Sequence, residues 1–530
     1  EGSWRSSSSS SSLASNKNGN NSTTTVSSNA NATLTTTSGT RPTSTSVAAA
    51  PFAVITNSSL EAAEVEILKN KVFMGSRFYV TSYEFAPGAA LFRGNVRTSL
   101  GKVPTSIVPS SLGGSNSNNN RAISTWFRRF DRRKQQPQGA TKTQTDNNTA
   151  MVFADIRERL EKEGLRDKIQ LFVLPDPEAT TNSNSRRTTT TNMGMRRPGI
   201  ETEDSPMDIP KPVILALPKE LTPDESKQKK GWIRKIGKTL CYPLAAVSTF
   251  LYSFFAYVSN PNFFDSLVNQ RDLTVLYSCI PLALGVLTIQ IIHEAAHYLV
   301  AKRKKIKIGP PVPIPSLLSN LPFFGWITPL RSFPSNRAAL VDFALSGPMT
   351  ALAVSLGLVF AGVVLTSRAT ALDIVRYPFV SVYGLKSSFL LGSILSWLLP
   401  KTMTLPLAQP IPMHPLFVAG SFGLVSSALN LLPIFRLDGG RACFAAMGQK
   451  SGGVISAGTV LFIVSNFLAG KGGGVMMSWA LLVAVFQSRI ETPCRDEYTE
   501  VDGKRQWLWL TSFLLSLSIL MPFPKIGTGV

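Results

Sequence analysis

Histidine is nearly absent from this chain, with three in 530 residues. Any site built on imidazoles must therefore draw on His293, His297 or His414. Cysteine is almost as scarce. Cys241, Cys279, Cys443 and Cys494 show neither CxxC nor CxxxC spacing, which argues against a thiolate metal site or a disulfide framework and leaves them as apolar fillers. Acidic residues are in short supply, 32 against 54 Lys and Arg, for a net charge of +22. In a soluble protein that excess suggests nucleic acid. Here the cations gather at Arg128 to Lys134, Lys227 to Lys238 and Lys302 to Lys307, and the last two clusters border long apolar segments. That placement favours anionic lipid and membrane topology over base readout. Large apolar side chains are nearly missing from residues 1–50, which are mostly Ser, Thr and Asn. Such a stretch cannot bury enough surface to offset the entropy of ordering, so it is expected to be a disordered leader. Its scattered Arg5, Lys17 and Arg41 and its lack of acids fit an organelle transit peptide or a plain disordered tail, and no secretory signal is visible.

Length alone exceeds what one compact core usually supports, so at least two units are expected. From 51 to 217 the chain reads as a small soluble α+β domain. Phe78 to Phe85, Ile169 to Leu174 and Val213 to Leu217 are rich enough in aromatic and β-branched residues to be strands. Met151 to Gly164 carries Phe153, Ile156 and Leu160 on one face and Glu158, Glu161 and Lys162 on the other, which predicts a helix stopped by Gly164. Polar stretches near 110–149 and 179–206 read as disordered insertions. A basic linker, 218–238, follows.

Beyond it the apolar runs approach or exceed the roughly 20 residues needed to cross a bilayer as helix. About eight are visible, near 239–258, 273–301, 338–366, 380–399, 413–434, 453–470, 473–489 and 506–522. The chain is thus expected to be a polytopic α-helical membrane protein with about eight membrane helices, over 239–525, preceded by the soluble α+β domain and the leader. If it starts on the cytosol-like side, the basic clusters before the first run and after the second share one face.

The second run contains His293-Glu294-Ala-Ala-His297. On a helix, residues four apart stand on one side about a turn apart, so both imidazoles can reach one metal ion. Glu294 lies beside the first of them, where it can hydrogen-bond a water on the metal without taking a coordination position, as a general base does. Two of the three histidines thus flank a glutamate inside an apolar helix, where each ionisable group costs on the order of a few kcal/mol. Metal coordination explains all three together; the alternative is a Glu–His pair that merely glues helices. A zinc site of this kind needs a third protein ligand. His414, in Pro412-Met-His-Pro415, reads as an interfacial residue or turn. Asp438 follows an apolar run and precedes Gly439-Gly440, which permit a tight turn near the carboxylate. By itself Asp438 could equally cap the next short helix or pair with Arg436 or Arg441.

His293 to His297 together with Asn430-Leu-Leu-Pro433-Ile-Phe-Arg-Leu437-Asp438-Gly439 resembles the paired signature of the site-2 proteases. The resemblance implies that Asp438 is the third ligand of one zinc ion and that Asn430 helps to position substrate or stabilise the oxyanion. Pro433 and Gly439 match its backbone-shaping positions, and Ser346-Gly347-Pro348 stands where the family has a Gly-Pro pair. Further segments resemble the plant and algal branch named for ethylene-dependent gravitropism deficiency and yellow-green leaves. They are Leu91 to Arg97, with Val96 in place of leucine in the Gly-Asn-Leu-Arg box, Ile169 to Glu178, and Glu491 to Thr499. Gly94-Asn95 alone reads as an ordinary turn. Some members of that branch lack the zinc motif, whereas this chain keeps His293, Glu294 and His297, which favours an enzyme over a catalytically silent scaffold or chaperone.

The resemblance implies an intramembrane zinc metalloendopeptidase acting on membrane proteins in a plastid membrane, with no nucleic-acid partner. Because a helix hides its peptide bonds, such an enzyme must offer its substrate an extended edge. Pro311 to Pro334, rich in Pro and aromatics, reads either as a non-helical re-entrant element lining the site or as an ordinary interfacial loop. A secondary transporter would call for inverted repeats and ionisable groups spread over several helices. Neither is apparent.

Overall fold

A computed structural model describes residues 60–86, 88–96, 151–176, 211–223, 232–316, 322–468, 479, 483 and 491–523. The leader and the two polar insertions lie outside the described residues.

The first part is a four-stranded antiparallel sheet of order β1-β2-β4-β3, made of β1 (Phe78–Ala86), β2 (Ala89–Val96), β3 (Ile169–Pro175) and β4 (Pro212–Pro218). Helices α1 (Ala62–Ile67) and α2 (151–162) cover one face, and the chain leaves α2 through Gly164 at φ 69°. Alternation sorts the strand residues between two cores. Phe92, Leu171, Val173 and Ile214 pack with Val65, Ile156 and Leu160, whereas Leu91, Phe172, Val213 and Leu215 pack with Leu221 and Phe333. Phe172 meets Phe333 edge to face with ring centres 5.0 Å apart. Both faces are therefore buried, which is why Ile169 to Leu174 reads as an almost unbroken apolar run. The sheet's second face is closed by the chain that leads into the membrane helices.

Gly94-Asn95 is not a turn. It lies within β2, paired through Val80↔Gly94 and Tyr79↔Asn95 beside a bulge at Val80/Ser82. A Cβ at 94 would stand 2.2 Å from the Tyr79 carbonyl oxygen and 2.8 Å from the Phe78 ring, so the close crossing of β1 requires glycine.

The second part is helical. Among the described residues, three helices are long and apolar enough to cross a membrane: Ile236–Val258 within α3 (Trp232–Val258), Leu273–Arg303, which ends in α4 (Ile280–Arg303), and α5 (Arg337–Ser367). Helix α3 begins at Trp232, inside the stretch expected to be linker. Two apolar helices are shorter, α6 (Phe389–Leu398) and α7 (Pro415–Leu431). They are followed by α8 (Asp438–Met447), α9 (Gln449–Leu468) and α10 (Gly503–Leu520). The run 380–399 is divided. Ser381 caps a short helix, Val382–Lys386, and Ser388 caps α6, because each hydroxyl accepts a backbone N–H and competes with a continuous helix. The run 473–489 lies outside the described residues save for 479 and 483.

Helix α4 buries one stripe, Leu282, Val286, Ile289, His293, His297 and Ala301, at the three-and-four spacing of a helix. Its other face leaves Ile291 62% and Tyr298 58% exposed, as suits a helix that meets lipid. Helices α5 and α7 approach closely because α7 offers glycines. A Cβ at Gly420 would lie 2.6 Å from the Ser355 carbonyl oxygen and one at Gly423 2.1 Å from Ser355 Oγ. This contact holds the end of α7, and the turn after it, against α4 and α5.

Pro311 to Pro334 is non-helical over its described residues. Strands β5 (Val312–Pro315) and β6 (Phe323–Ile327) form an antiparallel pair. Tyr242 of α3 donates its hydroxyl to the Pro311 carbonyl.

Candidate metal centre

His293 and His297 project from the buried stripe of α4 with their Nε2 atoms 3.1 Å apart. The Nδ1 of His297 is 2.9 Å from the carbonyl oxygen of Phe343 on α5. A carbonyl only accepts, so Nδ1 carries the proton and the Nε2 lone pair faces the other histidine. Ser346 also donates its hydroxyl to that carbonyl at 2.7 Å. Gly347 follows it. A Cβ there would lie 2.3 Å from His297 Nε2 and 2.8 Å from His293 Nε2, so only glycine lets α5 pass in front of both rings.

Asp438 reaches the same point from far along the chain. Its Oδ2 is 3.3 Å from His293 Nε2 and 3.2 Å from His297 Nε2. After α7 the chain folds sharply back through Leu432 to Leu437, with Phe435 in the left-handed region at φ 43°. The first turn of α8 then lies directly on that bend. A Cβ at Gly439 would stand 2.0 Å from the Leu431 carbonyl oxygen and one at Gly440 2.2 Å from that of Phe435. The glycine pair serves this close packing. Asp438 is not the cap of α8, a position held by Leu437. Arg441 is turned instead to Glu491, its Nε 2.7 Å from Oε2.

The His297 Nε2 lone pair, the Asp438 carboxylate oxygen and His293 Nε2 converge on one point, an arrangement that a cation placed between them would stabilise. A tetrahedral zinc at ~2.0–2.1 Å from each donor sets neighbouring donors about 3.3–3.4 Å apart, close to the 3.1–3.3 Å observed. The residues fit a zinc ion, and they form the metal-competent His/Asp cluster found among the described residues.

Glu294 borders this cluster without joining it. Its Oε1 is 4.0 Å from His293 Nε2, and its Oε2 accepts a 2.7 Å hydrogen bond from the Thr328 hydroxyl. Asn430 is buried in the last turn of α7 and faces β6, where a Cβ on Gly325 would lie 3.3 Å from its Oδ1. His414 serves α7 as N-cap, its Nδ1 accepting the Leu416 N–H at 3.2 Å and its ring set against Tyr377. Thr328, the Phe343 carbonyl and the buried Arg441–Glu491 pair were not foreseen as parts of this region. A single threonine after a strand carries no motif, and a carbonyl is common to every residue. Only Glu491 lay in a segment already marked by resemblance.

Residues 281–468, which include every donor of the cluster, match the model of peptidase family M50. Over 284 residues the chain is 33% identical to the probable zinc metalloprotease EGY1, chloroplastic, of Arabidopsis thaliana, covering 52% of this chain and 49% of that protein. It is 25% identical over 465 residues to the probable zinc metalloprotease EGY2, chloroplastic, of the same plant, covering 88% and 66%. To the probable zinc metallopeptidase EGY3, chloroplastic, also of Arabidopsis thaliana, it is 29% identical over 258 residues, covering 47% and 43%. The chain thus spans about half the length of the first of these relatives. No solved structure matches. The matched segment begins one residue before the buried stripe of α4 and extends past Asp438, so the part of the chain that carries the cluster is similar to peptidase family M50, and the relatives that the chain resembles are EGY proteins.

Proposed function

We propose that this chain is a zinc metalloendopeptidase that hydrolyses peptide bonds of membrane proteins within or near the bilayer of a plastid membrane. The observation that carries the reading is the convergence of His293, His297 and Asp438 on one point with Glu294 at its edge. Zinc held by the two Nε2 atoms and an Asp438 oxygen supplies Lewis acidity toward a carbonyl and makes water a better nucleophile near neutral pH. The Phe343 carbonyl keeps His297 in the tautomer that presents Nε2. Glu294, outside the donor set, accepts the proton of the attacking water at Oε1 and passes it to the leaving nitrogen. Asn430, set against β6, offers its amide to an extended substrate lying along the hairpin or to the oxygen that becomes charged.

The plastid membrane rests on the relatives, whose names place them in the chloroplast. Further crossings beyond the three long helices belong to this proposal, with α6, α7, α9, α10 and the apolar run 473–489 as their candidates, for about eight in all. So do the division into leader, soluble domain, linker and protease domain, and the bilayer and membrane-protein partners. Retention of both histidines and Glu294 speaks against a catalytically silent scaffold, and similarity to a peptidase family against a transporter.

Glu294→Gln tests the reading directly. The purified variant should bind one zinc per chain yet cleave a membrane-spanning reporter in liposomes at least ~100-fold more slowly than the unaltered chain, the lower end of what general acid–base groups contribute. Undiminished cleavage ends the assignment.

A further inference from the structure

The geometry points to Thr328 as a positioning residue that holds the Glu294 carboxylate in one orientation, and to the buried Arg441–Glu491 ion pair as what holds Thr328 in place. This deepens the proposed function and rests on it for the meaning of that orientation, although the contacts themselves do not depend on it.

A glutamate on a helix has three side-chain torsions and, unrestrained, populates several staggered rotamers. Here one oxygen is committed. Thr328, 6% exposed just beyond β6, donates its hydroxyl to Oε2 at 2.7 Å. Oε1 is thereby left on the side of the donor cluster, 4.0 Å from His293 Nε2. A threonine hydroxyl has a single proton, so bonding to Glu294 commits it.

Thr328 in turn is fixed through its backbone. Its carbonyl accepts from Arg441 Nη2 at 3.1 Å, and the same guanidinium donates from Nε to Glu491 Oε2 at 2.7 Å. Both side chains of that pair are buried, 7% and 3% exposed. Glu491 does a second thing. Arg441 stands three residues after Asp438 on α8, within reach of it along the helix. Engaging the guanidinium with Glu491 keeps it from drawing the Asp438 carboxylate out of the donor cluster. Glu491 is itself anchored from outside the helices. The segment after it bonds through Arg495 N–H to the Pro334 carbonyl at 2.9 Å and pairs through Arg495 and Glu497 with Val173 on the edge of β3.

The test uses the full chain in liposomes. Thr328→Val removes the hydroxyl at nearly constant shape, and Thr328→Ser restores it. With zinc content unchanged, Thr328→Val should lower kcat by roughly 10–100-fold and move KM by less than about threefold, the size of effect that outer partners of metal sites have. Thr328→Ser should recover most of that loss, which a purely steric role of the methyl group does not predict. A Thr328→Val enzyme with unaltered kcat, or a Thr328→Ser enzyme as slow as it, overturns the assignment. A readout independent of activity is the thermal cycle of Thr328→Val, Glu294→Ala and the double variant. If the hydroxyl holds the carboxylate, the double variant loses about 1–2 °C less in Tm than the sum of the single losses; strict additivity refutes the contact. Should the unaltered chain bind zinc and yet cleave nothing, the proposed function falls while this cycle still decides on Thr328. Glu491→Gln should lower both kcat and zinc affinity by about 10-fold. Unchanged values for both remove Glu491 from the arrangement.

Discussion

Gly347→Ala places one methyl group where the structure leaves room for none. The added carbon would begin 2.3 Å from His297 Nε2, 2.6 Å from its Cδ2 and 2.8 Å from His293 Nε2. Ordinary contact starts near 3.4 Å, so the gap to His297 must open by about 1.1 Å (3.4 less 2.3). Metal sites hold their ligand distances to within about 0.2 Å, so this shift is several times what joint coordination tolerates. Helix α5 cannot retreat freely, because Ser355, two turns on, is locked against Gly420 and Gly423 of α7. The rings must move instead. Loss of outer partners alone weakens metal binding 10–100-fold, and direct displacement of two ligands should exceed that, for a fall of at least ~100-fold, or about 2.7 kcal/mol. Overpacking should cost a further ~1–3 kcal/mol of stability. The assay is zinc affinity by chelator competition on the purified chain, with far-UV circular dichroism to establish that the helices persist. A folded Gly347→Ala protein that binds one zinc with unchanged affinity refutes the reasoning, because the ion would then not lie between those three donors.

Zinc should raise the Tm of the metal-free chain by mass action, with ~2.7 kcal/mol gained at a hundred times its dissociation constant. The rise should vanish in Asp438→Ala, and its persistence there, seen by nanoscale fluorimetry of the detergent-solubilised protein, takes Asp438 out of the ligand set. His414→Ala should do the opposite. Removing the N-cap of α7 should cost about 0.5–2 kcal/mol of stability while leaving zinc stoichiometry at one, and a loss of zinc would show that the third histidine is no mere cap.

Some of this fold could be read directly from residue order. The strands at Phe78–Ala86, Ile169–Pro175 and Pro212–Pro218 follow from runs of aromatic and β-branched residues, and the helix over 151–162 from its apolar face and Gly164. The long helices ending at Val258, Arg303 and Ser367 follow from apolar length. The strand Ala89–Val96 was hidden, because a Gly-Asn pair has the local chemistry of a turn and only the crossing of Tyr79 and Phe78 reveals why glycine stands there. Hydropathy alone ran 380–399 together as one segment, since it does not register that Ser381 and Ser388 cap separate helices.

For the candidate site the division is sharper. The pairing of His293 with His297, and the place of Glu294 beside them, is set by the sequence itself, since a helix brings residues four apart to one side whatever surrounds it. The arrival of Asp438, 141 residues beyond His297, depends on the packing of α4, α5 and α7 and on the backbone-to-backbone contact that Gly439 and Gly440 permit. The tautomer of His297 and the orientation of Glu294 depend on a main-chain carbonyl at Phe343 and a lone hydroxyl at Thr328. Neither group has a signature in the order of residues, because a carbonyl belongs to every residue and a hydroxyl acquires its role only from what folding sets opposite it.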